Sequence, residues 1–209
     1  MSIKSELKRK ALHLTGLLVP LVYVLFGQDV TLVFVGVSFA VFVALEPFRV
    51  IEEWRDSIKR RLGIYAPPEV MERIERLETH INDITREHER NRVAAHIYFA
   101  TASFAVVYFF PKSVAIGSIA LATLGDALAA IIGKTLGRHR FSNGKSVEGS
   151  LAYFLTGLAI LTPLVGLPLA LVGSLAGTIA EFYNLPPDDN FSNQLAVAIA
   201  LYLASLLHG

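Results

Sequence analysis

Residues 113–132 read SVAIGSIALATLGDALAAII, a run of apolar and small residues interrupted by one charge, Asp126. Its length matches the roughly 20 consecutive apolar residues that an α-helix needs to cross a bilayer. A bare charge within such a helix costs at least about 2.5 to 3.5 kcal/mol on insertion scales. It persists only beside a cation, a metal ion or water. Lys134 follows about two turns later, so helical rise sets Asp126 roughly 9 to 12 Å below that end of the helix. A salt bridge to a neighbouring group, such as His13 or Lys134, is the plain reading of Asp126. A functional carboxylate is the sharper one.

The same texture repeats outward in both directions. The chain is 53% hydrophobic with a mean hydropathy of +0.50, and its charges gather in a few stretches between long apolar runs. Membrane helices are expected near residues 11–26, 30–48, 93–110, 113–132, 147–161, 165–182 and 191–207, with the shorter ones extending into flanking polar residues. Pro111, Pro163, Pro168 and Pro186-Pro187 mark expected breaks or helix starts. The expectation is an all-α integral membrane protein with about seven transmembrane helices, one polytopic domain over residues 1–209. Residues 1–10 are basic and precede an apolar run, as in a signal peptide. No small-residue cleavage site follows, so the first helix reads as retained. A net charge of +1 leaves no basic field for nucleic acid, and the lack of cysteine excludes disulfides, thiol catalysis and Cys-based zinc sites.

Every Lys and Arg except Lys112 lies at the N-terminus, in residues 49–92 or in residues 134–145. These are alternate connections. The positive-inside rule then sets the N-terminus in the cytoplasm and the C-terminus outside. Within residues 49–92, Val70, Ile74, Leu77, Ile81 and Ile84 follow heptad spacing, continued by His88 and Asn91. Ile51, Trp54, Ile58 and Leu62 form a second stripe, separated from the first by Gly63 and Pro67-Pro68. The expectation is a cytoplasmic helical hairpin inserted between helices 2 and 3. The alternative is a pair of interfacial helices lying on the headgroups.

Four groups of residues carry chemistry, all on the cytoplasmic side. Glu6, Arg9, Lys10 and His13 share one face of the first helix. Basic residues there are ordinary topology anchors, but topology requires neither Glu6 nor His13. Asp126 is the second group. The third is Gly133-Lys134-Thr135-Leu136-Gly137, followed by the stretch from Phe141 through Gly144, Lys145, Ser146, Glu148 and Gly149 to Ser150. A glycine-rich loop with Lys and Ser opening a helix suits phosphate, because unpaired backbone donors and the helix N-terminus favour anions. It is not a P-loop: that motif needs glycine where this chain has His139, and a strand before the loop. Glu148 is a candidate magnesium ligand or a cap for the loop. The fourth group is Glu181 with Asp188, Asp189 and Asn190; Asp189 or Asn190 can also serve as an N-cap. Hard oxygen ligands on several elements suit magnesium bound to phosphates. Basic groups for phosphate and acids for magnesium at a lipid–water boundary suit phosphoryl or nucleotidyl transfer.

At these residues the chain resembles the CTP-dependent lipid kinases, which include dolichol kinase, phytol kinase and the CTP-using diacylglycerol kinase. The matching pieces, in order, are Glu6-x-x-Arg9-Lys10-x-x-His13; Gly125-Asp126-Ala127-x-Ala129 with Gly133 and Gly137; Lys145-Ser146-x-Glu148-Gly149-Ser150; and Glu181 with Asp188-Asp189-Asn190. The hairpin carries no matching motif. The resemblance implies transfer of the γ-phosphate of CTP to a lipid alcohol: a polyprenol, a shorter isoprenoid alcohol or a diacylglycerol-like lipid. It implies a nucleotide site of Arg9, Lys10, Lys134, Gly144, Lys145, Ser146 and Gly149. Asp126, Glu148 and Asp189 would act as catalytic groups, with Glu181 and Asp188 joining them as magnesium ligands. Glu6, His13 and Asn190 would lie toward the lipid.

The nearest competitor is a cytidylyltransferase making a CDP-lipid, which has a similar aspartate, glycine spacing and Lys-Ser/Thr-x-Glu-Gly run. The bacterial type ends in a Pro-Gly-His-Gly-Gly signature, where this chain has Pro186-Pro187-Asp188-Asp189-Asn190. A third reading, a small seven-helix transporter, predicts charge near the bilayer midplane in two similar halves, and the chain has no internal repeat. Gly173-x-x-x-Gly177 permits close helix packing, within the fold or between subunits of a homo-oligomer.

Overall fold

The computed structural model describes residues 9–50, 52–84 and 93–208. They form a helical protein. Residues 9–13 are helical and lead through a 3-10 turn, Leu14–Leu17, into α1 (Leu18–Val50). There follow α2 (Glu52–Tyr65), α3 (Pro68–Ile84), α4 (Ala95–Phe109), α5 (Lys112–Thr135), α6 (Val147–Val165), α7 (Leu167–Tyr183) and α8 (Asp189–His208). Among the described residues there is no strand; Arg140 and Ser146 form an isolated β-bridge.

Among the described residues four stretches are long and apolar enough to cross a membrane: Arg9–Pro47, Lys112–Thr135, Val147–Val165 and Asp189–Leu207. The helices Ala95–Phe109 and Leu167–Tyr183 are apolar but shorter. Large apolar side chains such as Leu25, Phe26, Val33, Leu203 and Leu207 face outward. A continuous apolar exterior is a liability in water and the natural surface in lipid.

The first stretch is not one rod. Gly27 has φ 82° and ψ −174°, a conformation that glycine reaches without steric cost, and it divides α1 into residues 18–26 and 28–50. These two legs run in opposite directions beside α4. At one end Gln28 Nε2 donates to the Val107 carbonyl (2.8 Å), and Lys112 Nζ lies 5.5 Å from the Tyr23 ring centroid. At the other end Glu46 accepts from the Ala94 amide (3.0 Å), and the His13 ring meets Phe99 edge-on. The two apolar stretches expected at 11–26 and 30–48 are thus two legs of a fold-back.

Helix α5 lies at the centre and packs on α6, α8 and the legs of α1, while α7 bridges α6 and α8. Glycines set the close approaches. A Cβ on Gly117 would come within 2.5 Å of Leu161, and one on Gly157 within 2.5 Å of Ser174 Oγ. Gly173 and Gly177 face Leu161, Leu201, Val197 and Tyr153 of the same chain. The small-residue stripe on α7 therefore serves packing within the fold.

Pro163 falls inside α6, which continues to Val165, so the break expected there does not occur. Pro168 sits at the start of α7, where its missing N–H is harmless. Helices α2 and α3 are joined by Ala66-Pro67, with Met71 against Gly63. Ile58 and Val70 of the two expected stripes are exposed. The side chains of Ile51, Trp54, Leu62, Leu77, Ile81 and Ile84, and residues His88 and Asn91, lie outside the described part.

Candidate functional site

One buried and one partly buried ion pair define the site. Asp126, halfway along α5, is 8% exposed, and its Oδ2 accepts a hydrogen bond from Lys10 Nζ, itself 2% exposed. His13 Nε2 lies 3.5 Å from the same oxygen. The required partner of Asp126 is therefore Lys10, with His13 adjacent, rather than Lys134. A lysine and an aspartate buried together tolerate what neither tolerates alone: removing one partner leaves an uncompensated charge. The second pair joins Lys145, in the loop before α6, to Glu181, near the end of α7 and 4% exposed.

The loop between α5 and α6 is held from three directions. A turn closes through Gly144 N to Phe141 O (3.0 Å), with Gly144 at φ 82°. Asn143 Nδ2 donates to the Phe182 carbonyl (2.9 Å), and its Oδ1 accepts from the Lys145 amide (3.1 Å). Arg140 donates to the Gly133 carbonyl (3.1 Å) at the end of α5. Ser146 is the N-cap of α6, its Oγ accepting from the Gly149 amide (3.1 Å). The glycines explain how the loop and the start of α6 lie so close to α5. A Cβ on Gly149 would come within 2.9 Å of Ala129 O, and one on Gly137 within 2.1 Å of Gly133 O.

Between these pairs is a polar cavity of about 260 Å³. It is lined by the cations Arg9, Lys10, Lys134, Arg140 and Lys145, by the acids Asp126, Glu181 and Asp189, and by Gly133, Asn143, Gly144, Ser146, Gly149 and Asn184. Most of the residues singled out from the sequence thus converge from the helical residues 9–13, α5, the loop and the start of α6, α7 and α8. His13 and Asn190 are neighbours of this cavity but line an adjacent apolar groove.

Two residues are placed differently from the expectation, and a third is not among the described residues. Glu148 does not line the cavity: its carboxylate pairs with His139 Nδ1 (2.9 Å) and accepts from the His139 amide (3.3 and 3.4 Å). These are the contacts of a loop cap. Asp188, not Asp189 or Asn190, takes the capping position of α8, accepting from the Asn190 amide (2.9 Å) and from Asn190 Nδ2 (2.8 Å). Glu6 lies outside the described residues. Arg140 and Asn184 join the lining unannounced, together with Asn143 of the Phe141–Ser150 stretch. Arg140 sits in the basic 134–145 stretch, where a topology anchor such as Arg138 looks the same in sequence.

Among the described residues no three His or acidic side chains stand together as a ready metal cage. The acids that line the cavity are matched to cations or to neighbouring helix ends. Such a cavity suits a ligand that brings several negative charges, because its anionic oxygens can take over the lysines.

No protein family matches the chain, and no solved structure matches it. The chain is 30% identical over 106 residues to a protein described as "Uncharacterized protein RP860" from Rickettsia prowazekii (strain Madrid E), over 46% of this chain and 52% of that protein. The chain spans about half the length of that curated relative.

Proposed function

We propose that the chain is a membrane-embedded, CTP-dependent kinase that transfers the γ-phosphate of CTP to the hydroxyl of a lipid alcohol, a polyprenol, dolichol or shorter isoprenoid alcohol. One observation carries this reading: cations and carboxylates from five separate segments line a single cavity at the ends of apolar helices. The choice of CTP comes from the resemblance to CTP-dependent lipid kinases, since a phosphate site does not read the base. The one-sided distribution of Lys and Arg supports seven crossings with the N-terminus and this cavity on the cytoplasmic side. The fold-back at Gly27 supports counting the legs of α1 as two of them.

In the proposed reaction the alcohol oxygen attacks the γ-phosphorus. Its proton passes to the Asp126 carboxylate, the bond from the γ-phosphorus to its bridging oxygen breaks, and CDP leaves. Asp126 suits the role of base because it lies below the helix end, at the depth of a hydroxyl on a lipid held in the membrane. Lys10 keeps the carboxylate charged and turns toward phosphate when the nucleotide arrives. Lys145, Arg9, Lys134 and Arg140 offset the charge of the phosphates. Asp126, Glu181 and Asp189 would hold a magnesium ion brought in with CTP, which neutralises phosphate charge; binding through one or two carboxylates plus phosphates is usual for this ion.

Incubation of the purified protein in detergent with γ-labelled CTP and a panel of lipid alcohols tests the reading. Label in a lipid monophosphate is the expected result. Release of pyrophosphate with CMP retained in the lipid would replace the kinase by a CDP-lipid synthase, and neither product would leave both enzymes without support.

A further inference from the structure

Next to the polar cavity is a second hollow of about 420 Å³, of opposite character. It lies between the two legs of α1 and the start of α4, walled by Val19, Phe34, Val35, Phe42 and Phe99. Small side chains, Ser38 and Ala100, keep it open. Its side wall offers little hydrogen bonding. The hydroxyls of Thr15 and Ser38 are donated to the Leu12 and Phe34 carbonyls (2.7 and 2.8 Å), and the His96 ring packs on Phe42.

One end is different. Arg9 lines both hollows, and His13 and Asn190 line the groove where Lys10, Asp126 and Asp189 line the cavity. The partition between the two is the 3.5 Å contact of His13 Nε2 with Asp126 Oδ2. A molecule lying in the groove therefore meets apolar wall along its length and a charged partition at its end. From Arg9 to Val19 the groove descends about 15 to 17 Å by the rise of its α and 3-10 turns, about half of a hydrocarbon core about 30 Å thick.

We infer that this groove holds the hydrocarbon tail of the acceptor, delivering its hydroxyl to the His13–Asp126 contact, and that the acceptor is a single-chain alcohol of the prenol or fatty-alcohol class. The inference rests on the kinase reading for the word acceptor, but the binding it asserts does not depend on catalysis. Two features select one chain. The volume is at the low end of the about 300 to 1,000 Å³ usual for small-molecule pockets. Beyond Arg9, His13 and Asn190 at its end, the hydroxyls of the groove are already donated to backbone carbonyls, so an ester carbonyl of a diacylglycerol drawn past that end is buried unfavourably. A bulk phospholipid filling the groove would bring a large headgroup against the partition, where Arg9 and His13 leave room for a small polar terminus.

The test is fluorescence quenching in the full chain. Trp54→Phe removes the one native tryptophan, and Ser38→Trp sets a probe in the groove. Leu12→Trp, on the exposed rim, is the second probe if the first variant does not insert. A single-chain alcohol brominated along its tail should quench saturably, and the unbrominated alcohol should reverse the quenching. Brominated diacylglycerol and brominated phosphatidylcholine should quench at least tenfold less at equal mole fraction. Equal quenching by phosphatidylcholine would make the groove an ordinary lipid-filled surface and overturn the inference, as would stronger quenching by diacylglycerol. Saturable quenching in a protein without phosphotransfer would uphold the binding site while removing the kinase. Phosphotransfer to alcohols that never quench either probe would uphold the kinase and remove the groove.

Discussion

Helix α5 and the folded-back α1 are both apolar, yet they are built for different surroundings. In the most apolar stretch of α5, 61% of the residues are buried within the protein, against 11% in that of Arg9–Pro47. The difference lies in side-chain size. Helix α5 carries Gly117, Ser118, Ala122, Gly125, Ala127 and Ala129, over which neighbouring helices approach closely. The legs of α1 carry outward Leu, Val and Phe, including Leu21, Val24, Phe26 and Val37. In lipid no hydrophobic force drives helices together, so small residues and polar contacts decide which helices become central. The site forms where the two kinds meet: Asp126 from the buried helix and Lys10 from the start of the lipid-facing one.

Breaking that meeting point should have the largest effect. Asp126→Asn is expected to abolish phosphotransfer, a loss of at least 10² to 10⁴-fold for a general base, while membrane insertion is retained. It also leaves Lys10 buried without its charge partner, on the order of 3 to 5 kcal/mol for a buried pair. Thermal unfolding of Asp126→Asn, Lys10→Met and the double variant separates the two effects. The double variant should regain stability and stay inactive; activity in Asp126→Asn would remove the carboxylate from the chemistry.

Next in size is the second ion pair. On the proposed reading, Lys145→Ala removes one charge-assisted contact to phosphate, each about 1.5 to 3 kcal/mol. The expected result is a rise in the KM for CTP on the order of 10- to 100-fold, with the KM for the alcohol little changed. An unaltered dependence on CTP concentration would disconnect the loop from the nucleotide.

Steric changes sharpen the contrast itself. Gly157→Ala brings a Cβ within 2.5 Å of Ser174 Oγ and 2.8 Å of its Cβ in the tightly packed core. Overpacking of this kind costs about 1 to 3 kcal/mol. On the α1 leg a Cβ at Gly36 meets nothing nearer than Phe104 at 3.9 Å, so Gly36→Ala should not lower the unfolding temperature. Equal effects at both positions would mean that the two regions pack alike. Ser146→Ala is expected to cost less than Gly157→Ala: it removes the α6 N-cap at a cost of about 1 kcal/mol, read as a small drop in the unfolding temperature.

Much of the fold is legible in the chain. The helical elements follow from apolar runs of membrane length, and even the fold-back in the first run is marked by Phe26-Gly27-Gln28-Asp29. Pro163 misleads because α6 continues past it to Val165. The composition of the candidate site is legible too: a carboxylate in an apolar helix announces a partner. The identity of that partner is not. His13 and Lys134 are as plausible from spacing as Lys10, and only the crossing of the first leg over α5 chooses among them. Glu148 illustrates the same limit, since its turn toward His139 depends on a loop path set by packing against Gly133 and Gly149.

The sequence by itself determined which segments are helical, how apolar each is and that charge collects at alternate connections, because these depend on residue-by-residue hydrophobicity and a constant helical rise. Tertiary structure alone decided that Lys10 pairs with Asp126, 116 positions away, and Lys145 with Glu181, 36 positions away. Those choices depend on which helices can approach, and that is set by where glycine and alanine let one backbone lie against another.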